Sequence, residues 1–524
     1  MEKLLVVIPA IKKNAVIPDQ LIKKLNGITL IQRAINTSLK LTNHQNILVI
    51  TDSAEISLIA ERNGIGYFKD PALSINSDNI LDTVVNIVQN HPHDHILLYR
   101  ANTPLLTHQM LYDAYQKYLT DTTTILTSVK RGEKKLLYLV ENHLINLNQV
   151  DYFEELKAFH IFSKKSVARR VYKPYTIESE KSIEIETYQD WWVCEKVLQR
   201  KKIVFNVIGS IELGMGHIYH SLALAHEITD HEIVFVCDNR YKIAVDAIAS
   251  MDYKVVATDD TLTTILSIQP DLVINDILDT DETYVKSLKS RNIKVVNFED
   301  LGTGSKYANL VFNELYDQPQ CDGKNYRWGY EYLALRDEFY EATPHNFVED
   351  IKEVLISFGG TDQNNLTLLA LKAVQELCKI HKIKINIVCG SGYAFKNELE
   401  AYLNELNYKN IELTYASGVI SKIMEKTQLA ISSNGRTVYE LADMNIPSII
   451  VSHHLREASH SFAGLDKGFI NLGVINESTL FKIQEKFAKL IEDKDYRELL
   501  FMNIKKYTFR ENKQKVVRKI LELI

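Results

Sequence analysis

Proline and glycine are sparse: ten and twenty in 524 residues, about half their usual combined share. Collagen-like and low-complexity architectures are thereby excluded. Cysteine is scarce too. Cys194, Cys237, Cys321, Cys378 and Cys389 occur without any CxxC pair, so neither a disulfide framework nor a zinc cluster is indicated, and the odd count fits reduced thiols. Neither sign of charge dominates. With 61 Lys+Arg against 67 Asp+Glu and a net charge of −6, a strongly basic nucleic-acid binder is excluded, while a local basic pocket is not. No apolar run approaches the ~18 residues of a membrane span. The run from Leu4 to Ala10 holds Pro9 and meets Lys12 and Lys13 instead of a small-residue cleavage site, so it reads as a buried strand and not as a leader. The expectation is a soluble, cytoplasmic chain with no nucleic-acid partner and no membrane span.

What is present is ordinary globular material, 46% hydrophobic and 24% charged, long enough for three or four compact units. Short apolar runs alternate with amphipathic segments, the pattern of parallel sheets with crossover helices. Strands are predicted at Leu4–Ile8, Ile47–Ile50, His95–Tyr99 and Thr124–Val129, then, after a break at Gln199–Lys202, at Ile203–Ile208, Glu232–Cys237, Lys254–Thr258, Leu272–Asn275, Lys294–Phe298 and Leu310–Asn313. A third series follows Arg336–Asp350: Glu353–Ser357, Lys384–Cys389, Ile411–Tyr415, Leu429–Ser432 and Ser448–Val451, with a helical tail from Glu477. The organisation expected is residues 1–198, then a first lobe at 203–340 and, at 345–524, a second lobe with the tail helices, the two lobes around a cleft. Ligands belong beyond the carboxyl ends of such strands.

Three strand–glycine–helix turns carry the candidate chemistry. The first is Gly209 and Gly214-Met215-Gly216-His217, with His217 at the helix start. A loop histidine that merely caps a helix has the same local sequence. The second is Gly359-Gly360-Thr361-Asp362 and the third Gly435-Arg436-Thr437, one turn before Glu440. Free amides and a helix dipole at such turns suit a diphosphate; Arg436 adds a cation, and Glu440 is placed to accept ribose hydroxyls.

Together with Pro270-Asp271…Asn275-Asp276, Phe298-Glu299-Asp300-Leu301, Tyr332–Phe339 and Ile446-Pro447, these motifs make residues 203–473 resemble the PseG/SpsG branch of GT-B proteins, more distantly the MurG glycosyltransferases. The resemblance implies a GT-B fold of two Rossmann-like lobes that needs no cofactor and cleaves or transfers a sugar from a nucleotide. His217 would be the catalytic base, and Gly359, Gly360, Thr361, Gly435, Arg436, Thr437 and Glu440 would be the nucleotide contacts. Two positions depart from the pattern: His220 replaces the usual basic residue three after the histidine, and Arg456-Glu457 replaces an Asn-Gln pair.

The opening run Ile8-Pro9-Ala10 … Ile17-Pro18 … Leu25-Asn26-Gly27, with Val49–Asp52, Asn102–Leu105 and Glu184-Ile185-Glu186-Thr187…Asp190, is similar to the sugar-acid cytidylyltransferases, the CMP-sialic acid and CMP-Kdo synthetase family. That resemblance implies a GT-A-like nucleotidyltransferase domain taking CTP and a sugar acid. Its phosphate loop is eroded: Ile11 stands for the family arginine, Lys13-Asn14-Ala15 for Gly-Ser-Lys and Gln20-Leu21 for Lys-Asn. Ala10, Lys12, Lys13 and Asp52 are the remaining candidates for CTP. Asn102 replaces a metal-binding Asp, and Glu184 and Glu186, alternating on an expected strand, are the candidate pair for Mg²⁺. The combined expectation is a bifunctional enzyme of nonulosonic acid or surface-polysaccharide synthesis. A glycosyltransferase with a degenerate first domain and a non-catalytic nucleotide-binding scaffold are its rivals, with the oligomeric state left open.

Overall fold

The computed structural model describes residues 3–12, 16–73, 79–132, 137–140, 143–146, 152–210, 214–406, 408–416 and 418–524. The chain divides into two units, Met1–Arg200 and Lys201–Ile524.

The first unit is built on a seven-stranded sheet in the order Tyr172–Thr176, Ile125–Arg131, Phe153–Ser163, His95–Tyr99, Leu4–Ala10, Ile47–Thr51, Gly66–Lys69. Phe153–Ser163 runs antiparallel to both neighbours and the other pairings are parallel. Leu4, Leu5, Val6, Val7 and Ile8 are all 0% exposed. A central parallel strand is covered on both faces, and for that reason it reads as an unbroken apolar run. Thr29 caps Leu30–Leu39 through the Gln32 amide, and a Thr187–Asp190 capping box starts Tyr188–Gln199.

Three strands of this sheet escape the apolar-run reading. Gly66–Lys69 is an edge strand exposed along its length, and Tyr172–Thr176 holds Pro174 at the opposite edge, where proline is tolerated. Phe153–Ser163 begins with charged residues. A further expectation fails here. Glu184–Glu186 joins no ladder, so the two glutamates do not alternate on a strand.

The second unit contains two all-parallel sheets. The first lobe runs Val255–Thr258, Glu232–Asp238, Lys202–Val207, Leu272–Asp276, Lys294–Phe298, Leu310–Asn313, Tyr326–Trp328. The second runs Ile411–Tyr415, Lys384–Cys389, Glu353–Ser357, Leu429–Ser432, Ser448–Ser452, Phe469–Val474. Each lobe thus starts in the middle of its sheet, winds one way and then the other, the doubly wound order with its switch point beside the first strand. The α/β class expected, one sheet-based domain ahead of two Rossmann-like lobes, is the class observed.

The two lobes share an apolar core in which Leu333, Leu335 and Phe339 meet Val438, Tyr439 and Phe462. The last helix, Asn512–Leu521, buries Val516, Val517 and Ile520 in the core of the first lobe. Of the tail helices expected after the second lobe, this last one packs on the first lobe. Among the described residues no helix is long and apolar enough to cross a membrane.

Candidate active site

In the first lobe, strand Lys202–Val207 turns into helix Gly216–His226 through Gly209 and Gly214. A Cβ on Gly209 would stand 2.7 Å from Ile218, so only glycine lets the helix pack this close, and Gly214 adopts φ 80°. The turn delivers His217, His220 and Ser221, which lie on one helical face at i, i+3 and i+4. All three point at Asp276, the last residue of the neighbouring strand. His217 Nδ1 lies 2.6 Å from Asp276 Oδ1, His220 Nδ1 2.7 Å from Oδ2, and Ser221 Oγ donates to Oδ2 at 3.2 Å. Burial pushes the Asp276 carboxyl up, but the two imidazoles outweigh it and hold it well below the usual carboxylate range. An ionised Asp276 takes the Nδ1 proton of His217 as a hydrogen bond. Nε2 is then the ring nitrogen left to accept a proton from a bound molecule.

Two more carboxylates follow the next two strands of the sheet: Glu299 after Lys294–Phe298 and Glu314 after Leu310–Asn313. Both are buried, and both face Arg436 of the second lobe. Its Nη2 lies 3.0 Å from Glu314, 3.5 Å from Glu299 and 3.9 Å from Asp276. Burial lowers Arg436, yet these three neighbours outweigh it and raise the guanidinium above its ordinary value. Glu299 is also met by His460 at 3.4 Å and Arg456 at 3.7 Å. Burial drives Glu299 up, and His460, His217 and Arg436 reverse the shift, leaving it well below the usual range.

Glu299 has φ 52°, a left-handed backbone that a non-glycine residue adopts only when its surroundings enforce it. The enforcement comes from Asp300, whose carboxylate accepts from Thr280 N, Thr280 Oγ1, Gly302 N and Asn297 Nδ2 at 2.6–3.0 Å. Behind it a buried amide ladder, Asn206 to Asn275 to Asn297, crosses three strands.

The glycine turns of the two lobes come together: a Cβ on Gly360 would lie 3.4 Å from Met215, and one on Gly216 would lie 3.4 Å from Arg436 Nη1. Three details differ from the sequence reading. The first amides of helix Leu366–His381 are not free, because Asp362 accepts from Leu366 N at 2.7 Å and Thr367 N at 2.8 Å. Arg436 is held by the three carboxylates and not left open to a diphosphate. Glu440 accepts from Arg336 Nε at 2.7 Å, so its carboxylate is shared with a cation before any ribose arrives. Gly359 adopts φ 78°, Thr361 packs its methyl toward Gly392, and Gly435 and Thr437 are half-buried beside Arg436.

Arg456 forms a bidentate pair with Asp279 at 2.9 and 3.1 Å, and Glu457 accepts from the His453 amide. Glu299, Glu314 and His460 had no assigned role in the sequence. A signal for the carboxylates is there, since three successive strands carry an asparagine at or next to their last residue, followed within two residues by an acid: Asn275-Asp276, Asn297-Phe298-Glu299 and Asn313-Glu314.

In the first unit, Ala10, Asp52 and Arg100 stand at the carboxyl ends of adjacent parallel strands. Lys12 N donates to Asp52 Oδ1 at 2.8 Å, while Lys12 Nζ is paired with Asp19 and Glu55 at 3.2 and 2.5 Å. Lys13 lies outside the described residues. Gln20, which replaces the family lysine, is buried and donates to Ile185 O, tying the opening loop to the acidic segment. Glu184 Oε1 accepts from Arg100 Nη1 at 3.2 Å and Asn102 Nδ2 at 3.0 Å, whereas Glu186 is exposed. Among the described residues no three acidic, histidine or cysteine side chains converge as a metal site. With a guanidinium on Glu184 and an amide at Asn102, this donor set does not fit Mg²⁺.

Comparison with known proteins bears on both units. Residues 5–219 match the cytidylyltransferase family, running past Arg200, and residues 354–516 match the C-terminal domain of glycosyltransferase family 28. An uncharacterized protein of Methanocaldococcus jannaschii is 32% identical over 276 residues, 48% of this chain and 55% of that one. The spore coat polysaccharide biosynthesis protein SpsG of Bacillus subtilis is 24% identical over 297 residues, 52% of this chain and 86% of its own length. A Helicobacter pylori protein, named pseudaminic acid cytidylyltransferase and UDP-2,4-diacetamido-2,4,6-trideoxy-beta-L-altropyranose hydrolase, is 27% identical over 232 residues, 42% of this chain and 40% of that one. The chain spans about half the length of the archaeal relative it matches.

Proposed function

We propose that this chain, a cytidylyltransferase domain joined to a family 28 glycosyltransferase C-terminal domain, is a nucleotide-sugar enzyme whose second unit hydrolyses a sugar nucleotide with His217 as general base. The observation that carries the reading is the His217–Asp276 pair. Nε2 accepts a proton from water as the water oxygen bonds to the anomeric carbon. The bond from that carbon to the diphosphate oxygen breaks, and its electron pair leaves with the nucleotide. Asp276 fixes the tautomer before the step and balances the imidazolium after it, a role typically worth about 10²–10⁴-fold in rate. Glu440, the Gly359–Thr361 turn, Gly435 and Thr437 are assigned to the nucleotide, while Arg436 stays with the three carboxylates.

Hydrolysis is favoured over transfer because Arg456 and Glu457, the charged pair that departs from the family pattern, are both engaged within the protein and not held open for an acceptor. The relatives' names suggest an acylamino-deoxy sugar on UDP and a role in nonulosonate or surface-polysaccharide synthesis. The first unit is read as a CTP- and sugar-acid-binding domain. It has a cavity of about 480 Å³ lined by Thr127, Glu155, His160, Arg170 and Tyr172, a volume suited to one sugar. Product analysis with UDP-2,4-diacetamido-2,4,6-trideoxy sugars tests the hydrolase. Free sugar and UDP are expected; a glycoconjugate formed only with an acceptor, or unchanged substrate, overturns it.

A further inference from the structure

We propose that Arg100 takes the place of the divalent metal in the first unit, so that the unit binds a nucleoside triphosphate through a fixed guanidinium and without Mg²⁺. The inference rests on the reading of this unit as a CTP-binding domain and concerns how it binds. Arg100 follows strand His95–Tyr99, immediately beside strand Leu4–Ala10 and its phosphate-loop continuation. Its backbone amide donates to Ala158 O at 3.0 Å, which anchors the residue to the antiparallel strand on the other side. Its side chain is a quarter exposed, with one Nη held by Glu184 at 3.2 Å. Among the described residues Nε and Nη2 meet no acceptor, and neither is a buried atom lacking a partner. They remain available to phosphate oxygens, for which the planar guanidinium fork is suited.

A metal is disfavoured at this position on the donor set itself. A cation bound by Glu184 would sit within a few ångströms of the guanidinium and be repelled by it. Asn102, already donating to the same Glu184 oxygen, brings no negative charge to offset that repulsion. Lys12 does not supply the missing charge, because Asp19 and Glu55 hold it. Arg100 thus replaces the two positive charges of a magnesium ion with one, enough to retain an anion but a poor substitute at the α-phosphorus during transfer.

Calorimetric titration of the full chain with CTP, in EDTA and in excess magnesium, tests the proposal. Wild type is expected to bind with the same affinity in both conditions within about twofold, and Arg100→Gln to bind about tenfold or more weakly in both. Arg100→Ala with Asn102→Asp, which removes the guanidinium and adds a carboxylate, is expected to gain Mn²⁺ binding detectable by electron paramagnetic resonance. Binding by wild type that requires magnesium, or equal affinity in wild type and Arg100→Gln, overturns the inference while leaving the unit a CTP binder. An absence of CTP binding in both conditions overturns that underlying reading as well.

Discussion

The two units place their polar groups in the same kind of location, beyond the carboxyl ends of parallel strands, yet spend them differently. In the first unit the charges close on one another: Lys12 on Asp19 and Glu55, Glu184 on Arg100 and Asn102. In the second, Asp276 binds both His217 and His220 through Nδ1 and, among the described residues, leaves the Nε2 of His217 unclaimed. Motif residues alone do not show which groups stay open to a ligand. What separates the units is which group is left over among the described residues: an imidazole nitrogen of His217 in the second, guanidinium nitrogens of Arg100 in the first.

The sharpest way to break this contrast is at the unclaimed nitrogen. His217→Ala is expected to lower sugar-nucleotide hydrolysis by about 10²–10⁴-fold with nucleotide affinity nearly unchanged. Asp276→Asn should lose a comparable factor, because an amide does not select the Nδ1–H tautomer or balance an imidazolium. Steady-state rates alongside calorimetric affinities check both, and a wild-type rate in either variant would falsify the assignment.

Next in size is the lobe-to-lobe cation. Arg436→Met leaves Asp276, Glu299 and Glu314 buried around an apolar side chain. Removing one partner from a buried charge cluster typically destabilises by about 3–5 kcal/mol. Urea unfolding should show a loss of that order in the second unit. An unchanged midpoint would mean that the three carboxylates take up protons or water at little cost, and that the cluster does not hold the lobes together.

A smaller effect is expected at Glu440. Its replacement by Ala removes a nucleotide contact and also strands Arg336, so UDP affinity should fall by roughly tenfold, about one charge-assisted hydrogen bond. Glu440→Gln separates the two roles. If Gln restores binding, the residue acts as a hydrogen-bond acceptor; if it does not, the charge opposite Arg336 matters more.

The legible parts of the molecule were those where local chemistry and global fold agree. Leu4–Ile8, Leu272–Asn275 and Ser448–Val451 are buried on both faces, so their composition alone marks them as parallel strands. Gly214 and Gly359 stood out because their backbones need a positive φ or a close approach. The illegible parts depend on partners far away in the chain. Arg436 reads as a phosphate ligand until Glu314, 122 residues earlier, is placed 3.0 Å from it. The helix after Gly360 reads as an anion site until Asp362 turns back onto its amides. Glu184 and Glu186 read as a metal pair until Arg100, 84 residues away, is found on one of them. For Arg436 and Glu184 the residue type is plain in the sequence and the partner lies far along the chain.

The finest contrast between the units is in their response to pH. In the first unit burial is the main cause that lowers His160, to about 4, with the Arg100 charge acting in the same direction. The unfolded chain therefore takes up a proton near pH 6.5 that the folded unit refuses. Stability contributed by this residue is complete above about pH 6.5 and falls as the pH drops toward 4, by about 1 kcal/mol per pH unit. In the second unit His460 is shifted the opposite way. Burial lowers it, but Glu299, the Asn434 carbonyl and Glu457 outweigh burial and raise it. Its contribution is complete below about pH 6.5 and is lost as the pH rises through the folded value, while Glu299, held well below its usual range, stays ionised throughout. Hydrogen exchange resolved by peptide, followed from mildly acidic to mildly alkaline buffer, should show the strand Phe153–Ser163 losing protection toward acid and the segment around His460 losing it toward alkali. His160→Gln should flatten the first trend and His460→Gln the second, each without altering the other. A common pH dependence in both segments would mean that these two buried imidazoles do not set the stability of their units.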